Sequence, residues 1–247
     1  MIRGLLYWVL GIVVTVIMWC FAVVVYPFVR KRADFMHKTA HIWCLILVAG
    51  LCRVKIEVVG RENFYAQDSC IIVSNHRSYA DILVGLAAVP VQFRWLSKKS
   101  LFRLPLLGLA MKMAGYIPIQ REKSMASFKS LESVKHALVE KLRPVWIFPE
   151  GTRTPASKLR RFKRGAFILA RETSKPVLPV TLINTDNIFE NMLKVKAKQV
   201  KVVAGSPVYY SDFKTEKVSD RESLDRMIAY TRNKIQQTYN SYASQSQ

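Results

Sequence analysis

The residues from Gly4 to Val29 constrain this chain most. "GLLYWVLGIVVTVIMWCFAVVVYPFV" carries no charged side chain over 26 positions. As a single helix it would be about 39 Å long, against the roughly 30 Å hydrocarbon core of a bilayer. The run exceeds the core of a secretion signal, and no small-x-small cleavage site follows it. It is therefore read as membrane-embedded. Arg30, Lys31 and Arg32 end it and mark that end as cytoplasmic, where loop cations are retained.

A second segment follows, "FMHKTAHIWCLILVAGLC", Phe35 to Cys52. Only its second half is free of charge and histidine. It is too short to cross and is expected as a helix tilted into one leaflet. His37 and His41 are four apart, a spacing that suits a metal. No acid lies between them and no third ligand is in sight, so they are read as polar residues at headgroup level. Residues 1–52 are thus assigned to a two-helix membrane anchor and residues 53–247 to a second domain.

Charge points the same way. Lysine and arginine total 38 against 17 acids, a formal net charge of +21. Such a surface seeks an anionic partner, either lipid or nucleic acid. No RRM-like or helix-turn-helix signature is present, so nucleic acid is not expected. Cys20, Cys44, Cys52 and Cys70 show no CxxC spacing and are read as reduced, buried thiols.

Beyond Arg53 short β-branched runs alternate with helical patterns. Strands are predicted at 54–59, 70–74, 93–97, 116–120, 145–148, 177–183 and 200–205. Helices are predicted near 79–89, 105–114, 124–142, 165–174 and 219–240. This alternation specifies an α/β fold with a mostly parallel central sheet flanked by helices.

The strand "CIIVS" delivers Asn75 and His76 to its C-terminal end, where α/β folds place their sites. In "SNHRSYAD", Ser78 and Asp81 have the spacing of a helix capping box. In a continuous helix the offset of five would rotate His76 and Asp81 apart by about 140°. With His76 in the turn before the helix, Asp81 can instead meet the ring and fix its tautomer. On spacing alone the cap and the catalytic pair both stand. G-x-S-x-G is absent, so the proton that such a base would take belongs to a substrate hydroxyl or to water. His136, flanked by Glu132 and Glu140, is read as a solvated helix-face residue.

Arg121 in "GYIPIQR" and Arg153 in "FPEGTRT" each follow a strand, as His76 does, and are favoured as functional cations. Gly151 allows close backbone approach, and a guanidinium suits a phosphate. The cations of "KLRRFKRG", Lys158 to Arg164, are read mostly as solvated surface.

Four blocks in order make the sequence resemble the 1-acylglycerol-3-phosphate O-acyltransferases: "NHRSYAD" for N-H-x-S-x-x-D, "GYIPIQR", "FPEGTRT" for F-P-E-G-T-R-S, and "VLPVTL". Thr154 departs from the usual serine. The likeness runs from about Val54 to Val208. The resemblance implies transfer of an acyl chain from coenzyme A or acyl carrier protein to the free hydroxyl of lysophosphatidate, giving phosphatidate. His76 would be the general base and Asp81 its orienting partner. Arg121, Glu150, Gly151, Thr152 and Arg153 would hold the acceptor. No metal or organic cofactor is called for, because the thioester is already activated. The enzyme would work on the cytoplasmic face of a membrane, the inner membrane if bacterial. Other readings are the same chemistry on another lysophospholipid, a lipid hydrolase, and a non-enzymatic module that binds anionic lipid or nucleic acid by charge.

Overall fold

The structure, a computed structural model, describes residues 2–119, 128–154, 158–191, 194–196 and 199–243. Helix α1 (Ile2–Val25) and helix α2 (Arg32–Leu45) form an antiparallel hairpin. Gly11 lies against Leu47, Trp43 Nε1 donates to Thr15 Oγ1 at 3.0 Å, and Ala22 packs with Met36. A π-helical turn, Ile46–Leu51, continues α2. Most large apolar side chains of α1 from Leu6 to Val24 point outward, as does Phe28 in the turn after it. Among the described residues this is the one helix long and apolar enough to cross a membrane. Cys20 is exposed on it, which corrects the reading of that thiol as buried.

The second helix behaves differently. Met36, His37, Thr39, Cys44 and Val48 are buried, and the last two belong to the main hydrophobic core. Asp34 accepts from Arg94 and from Arg143, the latter at 2.6 Å. Burial pushes its pKa upward, but the two guanidiniums outweigh this and hold the carboxyl below its ordinary value. The headgroup-level reading of His37 and His41 is corrected. His37 sits edge-on to Phe93 with the Tyr116 hydroxyl 3.2 Å from Nδ1, and His41 Nδ1–H donates to the Leu86 carbonyl at 2.6 Å. Burial, and then the nearby Arg94 charge, push the pKa of His37 down to about 3. Local hydropathy described this segment, but partners from the rest of the chain decided where its polar groups lie.

The predicted strands all form. They are β1 (Lys55–Val59), β2 (Ile71–Ser74), β3 (Arg94–Lys98), β4 (Ile117–Ile119), β5 (Val145–Ile147), β6 (Val177–Ile183) and, after a short hairpin, β9 (Gln199–Ala204). That hairpin, β7 (Phe189–Asn191) with β8 (Lys194–Val195), was not legible, because pieces this short show no periodicity. The helices are α3 (Ala80–Ala88), α4 (Leu107–Met113), α5 (Phe128–Lys135), α6 (Gly165–Thr173) and α7 (Asp220–Ala243). A π-helical turn, His136–Glu140, extends α5, and exposed His136 pairs with Glu140 at 2.6 Å. The start of the predicted 124–142 helix lies outside the described residues.

The main sheet has the order β1-β9-β6-β2-β5-β3-β4. Its strands from β6 to β4 are parallel, and β9 and β1 run the other way. Pleating divides β2 and β5 between two cores. Ile72 and Trp146 face α2 and α3, whereas Ile71, Val73, Val145 and Ile147 face the core holding α5, α6 and α7 residues. Because β1 is reversed, it begins at the edge where β2, β3, β5 and β6 end. With Gly11 against Leu47, the hairpin of α1 and α2 directs the first residues of α1 toward that same edge.

Candidate active site

Strand β2 occupies the middle of the sheet and all four of its residues are buried. Asn75 closes it: its Nδ2 donates to the Leu182 carbonyl at 2.8 Å, and its Oδ1 accepts from Leu182 N at 2.8 Å. This side chain continues the ladder to β6 while the backbone turns away, so His76 is released at the C-terminal end.

His76 Nδ1–H donates to Asp81 Oδ2 at 2.7 Å, with the two residues 3% and 0% exposed. The same oxygen accepts from Arg77 N at 2.7 Å and Ser78 N at 2.9 Å, and Ser78 Oγ accepts from Ala80 N at 3.1 Å. The pair forms, and of the predicted capping box only the Ser78 N to Asp81 half is present: Tyr79 stands at the N-cap of α3 without a side-chain cap bond, and the one carboxylate oxygen holds the turn before the helix as well as the ring. Donation from Nδ1 leaves Nε2 as the nitrogen that can take a proton. Phe148 stacks on the imidazole at 4.0 Å and 15°, backed by Trp95 at 5.3 Å. Ring tilt is thus limited from one side by rigid aromatics.

The turn after β5 grips the backbone of the same histidine. Glu150 Oε1 accepts from His76 N at 3.0 Å, and Thr154 N donates to the His76 carbonyl at 2.9 Å. Glu150 Oε2 accepts from Arg160 N at 3.1 Å, and the side chain is only 5% exposed. Both carboxylate oxygens of Glu150 thus serve backbone amides. Gly151 has φ +75°, a left-handed conformation that disfavours a Cβ.

Cations gather on this turn. The guanidinium of Arg153 lies 3.4 Å above the centre of the exposed Tyr79 ring. Lys163 crosses Gly151, its Nζ 2.9 Å from where a Cβ would stand. The Arg160 guanidinium reaches Thr152 Oγ1 at 3.5 Å, and Arg164 pairs with Asp225 at 2.6 Å. The surface reading of 158–164 holds for exposed Arg160 and Lys163 and is corrected for Arg164, which is half-buried in its ion pair. Leu159 and Phe162 are buried among them, and Arg232 and Gln236 of α7 hold the Leu159 backbone. The pattern of two buried apolar residues within a basic run was the available signal. Arg121 lies outside the described residues. Arg77 bonds Asp186 at 2.9 Å and covers the Tyr239 ring at 4.6 Å, joining this loop to α7.

The arrangement can abstract a proton in a dry setting beside a cationic turn. Cys70 lies at the opposite, N-terminal end of β2, and burial pushes its thiol up to about 12. Among the described residues, no cluster of three or more His, Cys, Asp or Glu side chains is placed to hold a metal.

Comparison with known proteins fits this geometry. The model of the family described as Acyltransferase matches residues 55–183, from β1 through β6. The chain belongs to the acyltransferase family. As a family member it is an acyltransferase, and the match contains His76, Asp81 and the turn from Glu150 to Arg153. It is similar to the chloroplastic 1-acyl-sn-glycerol-3-phosphate acyltransferase of Brassica napus, with 31% identity over 246 residues, 97% of this chain and 67% of that protein. The Arabidopsis thaliana chloroplastic counterpart is 30% identical over 217 residues, 85% of this chain and 60% of that one. The Borreliella burgdorferi enzyme of the same name is 34% identical over 146 residues, 59% of this acyltransferase and 58% of its own length. The acyltransferase thus spans about two thirds or less of each of these relatives. The crystal structure of the 1-acyl-sn-glycerophosphate acyltransferase of Thermotoga maritima shares the fold, with a TM-score of 0.74, 21% identity and 97% of both chains covered.

Proposed function

We propose that this acyltransferase moves an acyl chain from a coenzyme A or acyl carrier protein thioester to the free hydroxyl of lysophosphatidate, making phosphatidate. The observation that carries the reading is the buried His76–Asp81 pair at 2.7 Å beside a turn lined by Arg153 and Lys163. In the step, the acceptor hydroxyl oxygen attacks the thioester carbonyl while Nε2 of His76 takes its proton. The imidazolium is stabilised by Asp81. Collapse breaks the C–S bond, and the thiolate leaves with that proton. Arg153 and Lys163, together with Arg121, bind the acceptor phosphate, and the Gly151–Thr152 turn lets it approach the backbone. Glu150 acts by holding His76 in place. The near-complete burial of the pair favours a lipid hydroxyl over water as the acceptor.

Helix α1 embeds the enzyme, with the anchor of residues 1–52 feeding the domain of residues 53–247 on the cytoplasmic face. Acylation assays with labelled thioester, comparing lysophosphatidate with a panel of other lysophospholipids, test the reading. Lysophosphatidate is expected to be the preferred acceptor. Preference for an acceptor with a substituted phosphate overturns the substrate assignment, and release of free fatty acid without transfer overturns the reaction class.

A further inference from the structure

The parallel strand β3 ends at the same sheet edge as β2 and β5, so the chain leaving Lys98 emerges beside the active site. It continues as "KKSLFRLPLLGLAMK", Lys98 to Lys112. Leu101, Leu104, Leu106, Leu107 and Leu109 are 38% to 63% exposed. A water-facing loop gains nothing from five leucines, and contiguous apolar surface marks an interaction site.

The display is built. Phe102 and Met111 point inward and anchor the segment, and Gly108 packs so tightly on the Phe102 carbonyl that a Cβ would come within 2.4 Å of it. Gly108 N donates to the Leu104 carbonyl at 2.8 Å and Ala110 N to that of Leu106 at 2.9 Å. Leu106 itself is held at φ +57° and ψ −60°, a conformation that a leucine avoids unless its surroundings impose it. Lys98, Lys99, Arg103 and Lys112 are exposed around the leucines. Apolar tips within a ring of lysine and arginine complement an anionic lipid surface.

Position narrows the occupant further. At the far end of α4, Met113 and Ala114 pack with Trp19 and Ala22 of α1 and with Tyr26 just after it. The leucine turn is thereby fixed to the apolar helix, and it stands at the edge toward which the first residues of α1 are directed. We propose that the segment Leu101–Leu109 is a second membrane contact, a wedge that enters the outer acyl region of an anionic bilayer and holds the active-site edge against it. The acceptor then moves laterally from the membrane into the site without passing through water.

The test uses the full chain in vesicles of phosphatidylcholine and phosphatidylglycerol. Cys20→Ser and Cys52→Ser remove the accessible thiols, and Leu104→Cys carries an environment-sensitive fluorophore. Ser211→Cys, near the opposite sheet edge, is the aqueous reference. Blue-shifted emission at position 104, quenched by acyl-chain-brominated lipids, with neither change at 211, is the expected result. Aqueous emission at 104 without quenching overturns the wedge.

An activity arm rests on the proposed reaction. Leu104→Gln, Leu106→Gln and Leu109→Gln together should lower acylation of vesicle-borne lysophosphatidate on the order of tenfold or more, from the lost apolar burial. Acylation of a short-chain acceptor dissolved in water should stay as in the unaltered enzyme. Equal turnover on vesicles overturns the docking role. An unaltered enzyme that acylates neither acceptor refutes the proposed reaction and leaves the fluorescence result to decide the wedge.

Discussion

Replacing Glu150 by glutamine separates two roles that the same residue could play. Its oxygens lie 3.0 Å from His76 N and 3.1 Å from Arg160 N, with the side chain 5% exposed. Hydrogen bonds to a charged group contribute about 1.5–3 kcal/mol each. Glutamine keeps one oxygen and turns an NH₂ toward the second backbone donor. One bond is lost and the other loses its charge, a cost of about 2–4 kcal/mol. For a chain of this length each kcal/mol shifts the thermal midpoint by about 2–4 °C, so a fall of about 4–16 °C is expected. Where the NH₂ faces His76 N, the freed amide is that of the base itself. Displacement of the base on the ångström scale lowers kcat about 10²-fold. The KM for lysophosphatidate should stay unchanged, because both Glu150 oxygens already serve backbone amides. Scanning calorimetry in detergent and steady-state acylation measure both. An unchanged midpoint with normal kcat and a raised acceptor KM would refute the clamp and return Glu150 to the binding site.

Asp81→Asn should lower kcat by about 10²–10⁴, since the amide leaves the tautomer of His76 unfixed; near-normal turnover in a standard acylation assay would remove the general-base mechanism. Incubation with labelled thioester alone should leave no label on the protein, because no activated nucleophile adjoins His76, and Cys70 is held as a thiol; a stable acyl-enzyme seen by mass spectrometry would contradict this. Acid should destabilise the fold well before carboxylates titrate. The pKa of His37 falls from 6.5 to about 3 on folding, so the unfolded chain binds the extra proton between those values. Stability is full above pH 6.5 and falls by about 1.4 kcal/mol per unit toward pH 3. Asp34, whose carboxyl is depressed by Arg143 and Arg94, adds a loss only below about 3.8. His37→Phe should flatten the slope between pH 6.5 and 4 in chemical denaturation; an unaltered slope would show that His37 is not its source.

Whatever depends on neighbours along the chain could be read from the residues alone. The seven main strands were legible because each is a short run with apolar β-branched or aromatic residues, bounded by polar or turn residues. The pair of His76 and Asp81 was legible because both sit in one strand-turn-helix passage, with their partners within five residues. The length and apolarity of α1 needed no fold at all. Whatever depends on residues far apart came from the folded chain. The reversal of β9 and β1 rests on backbone pairing that their side-chain pattern does not encode. His37 looked like an interfacial polar group until Tyr116, 79 positions away, supplied its partner, and the pairing of Asp34 with Arg94 and Arg143, 60 and 109 positions away, was equally out of reach of local pattern. Lys163 became a neighbour of Gly151, and Glu150 a holder of His76, only when β5 was laid beside β2. Hydropathy and spacing report on a residue's own segment; the burial of a charge or a polar atom depends on what the fold brings to meet it.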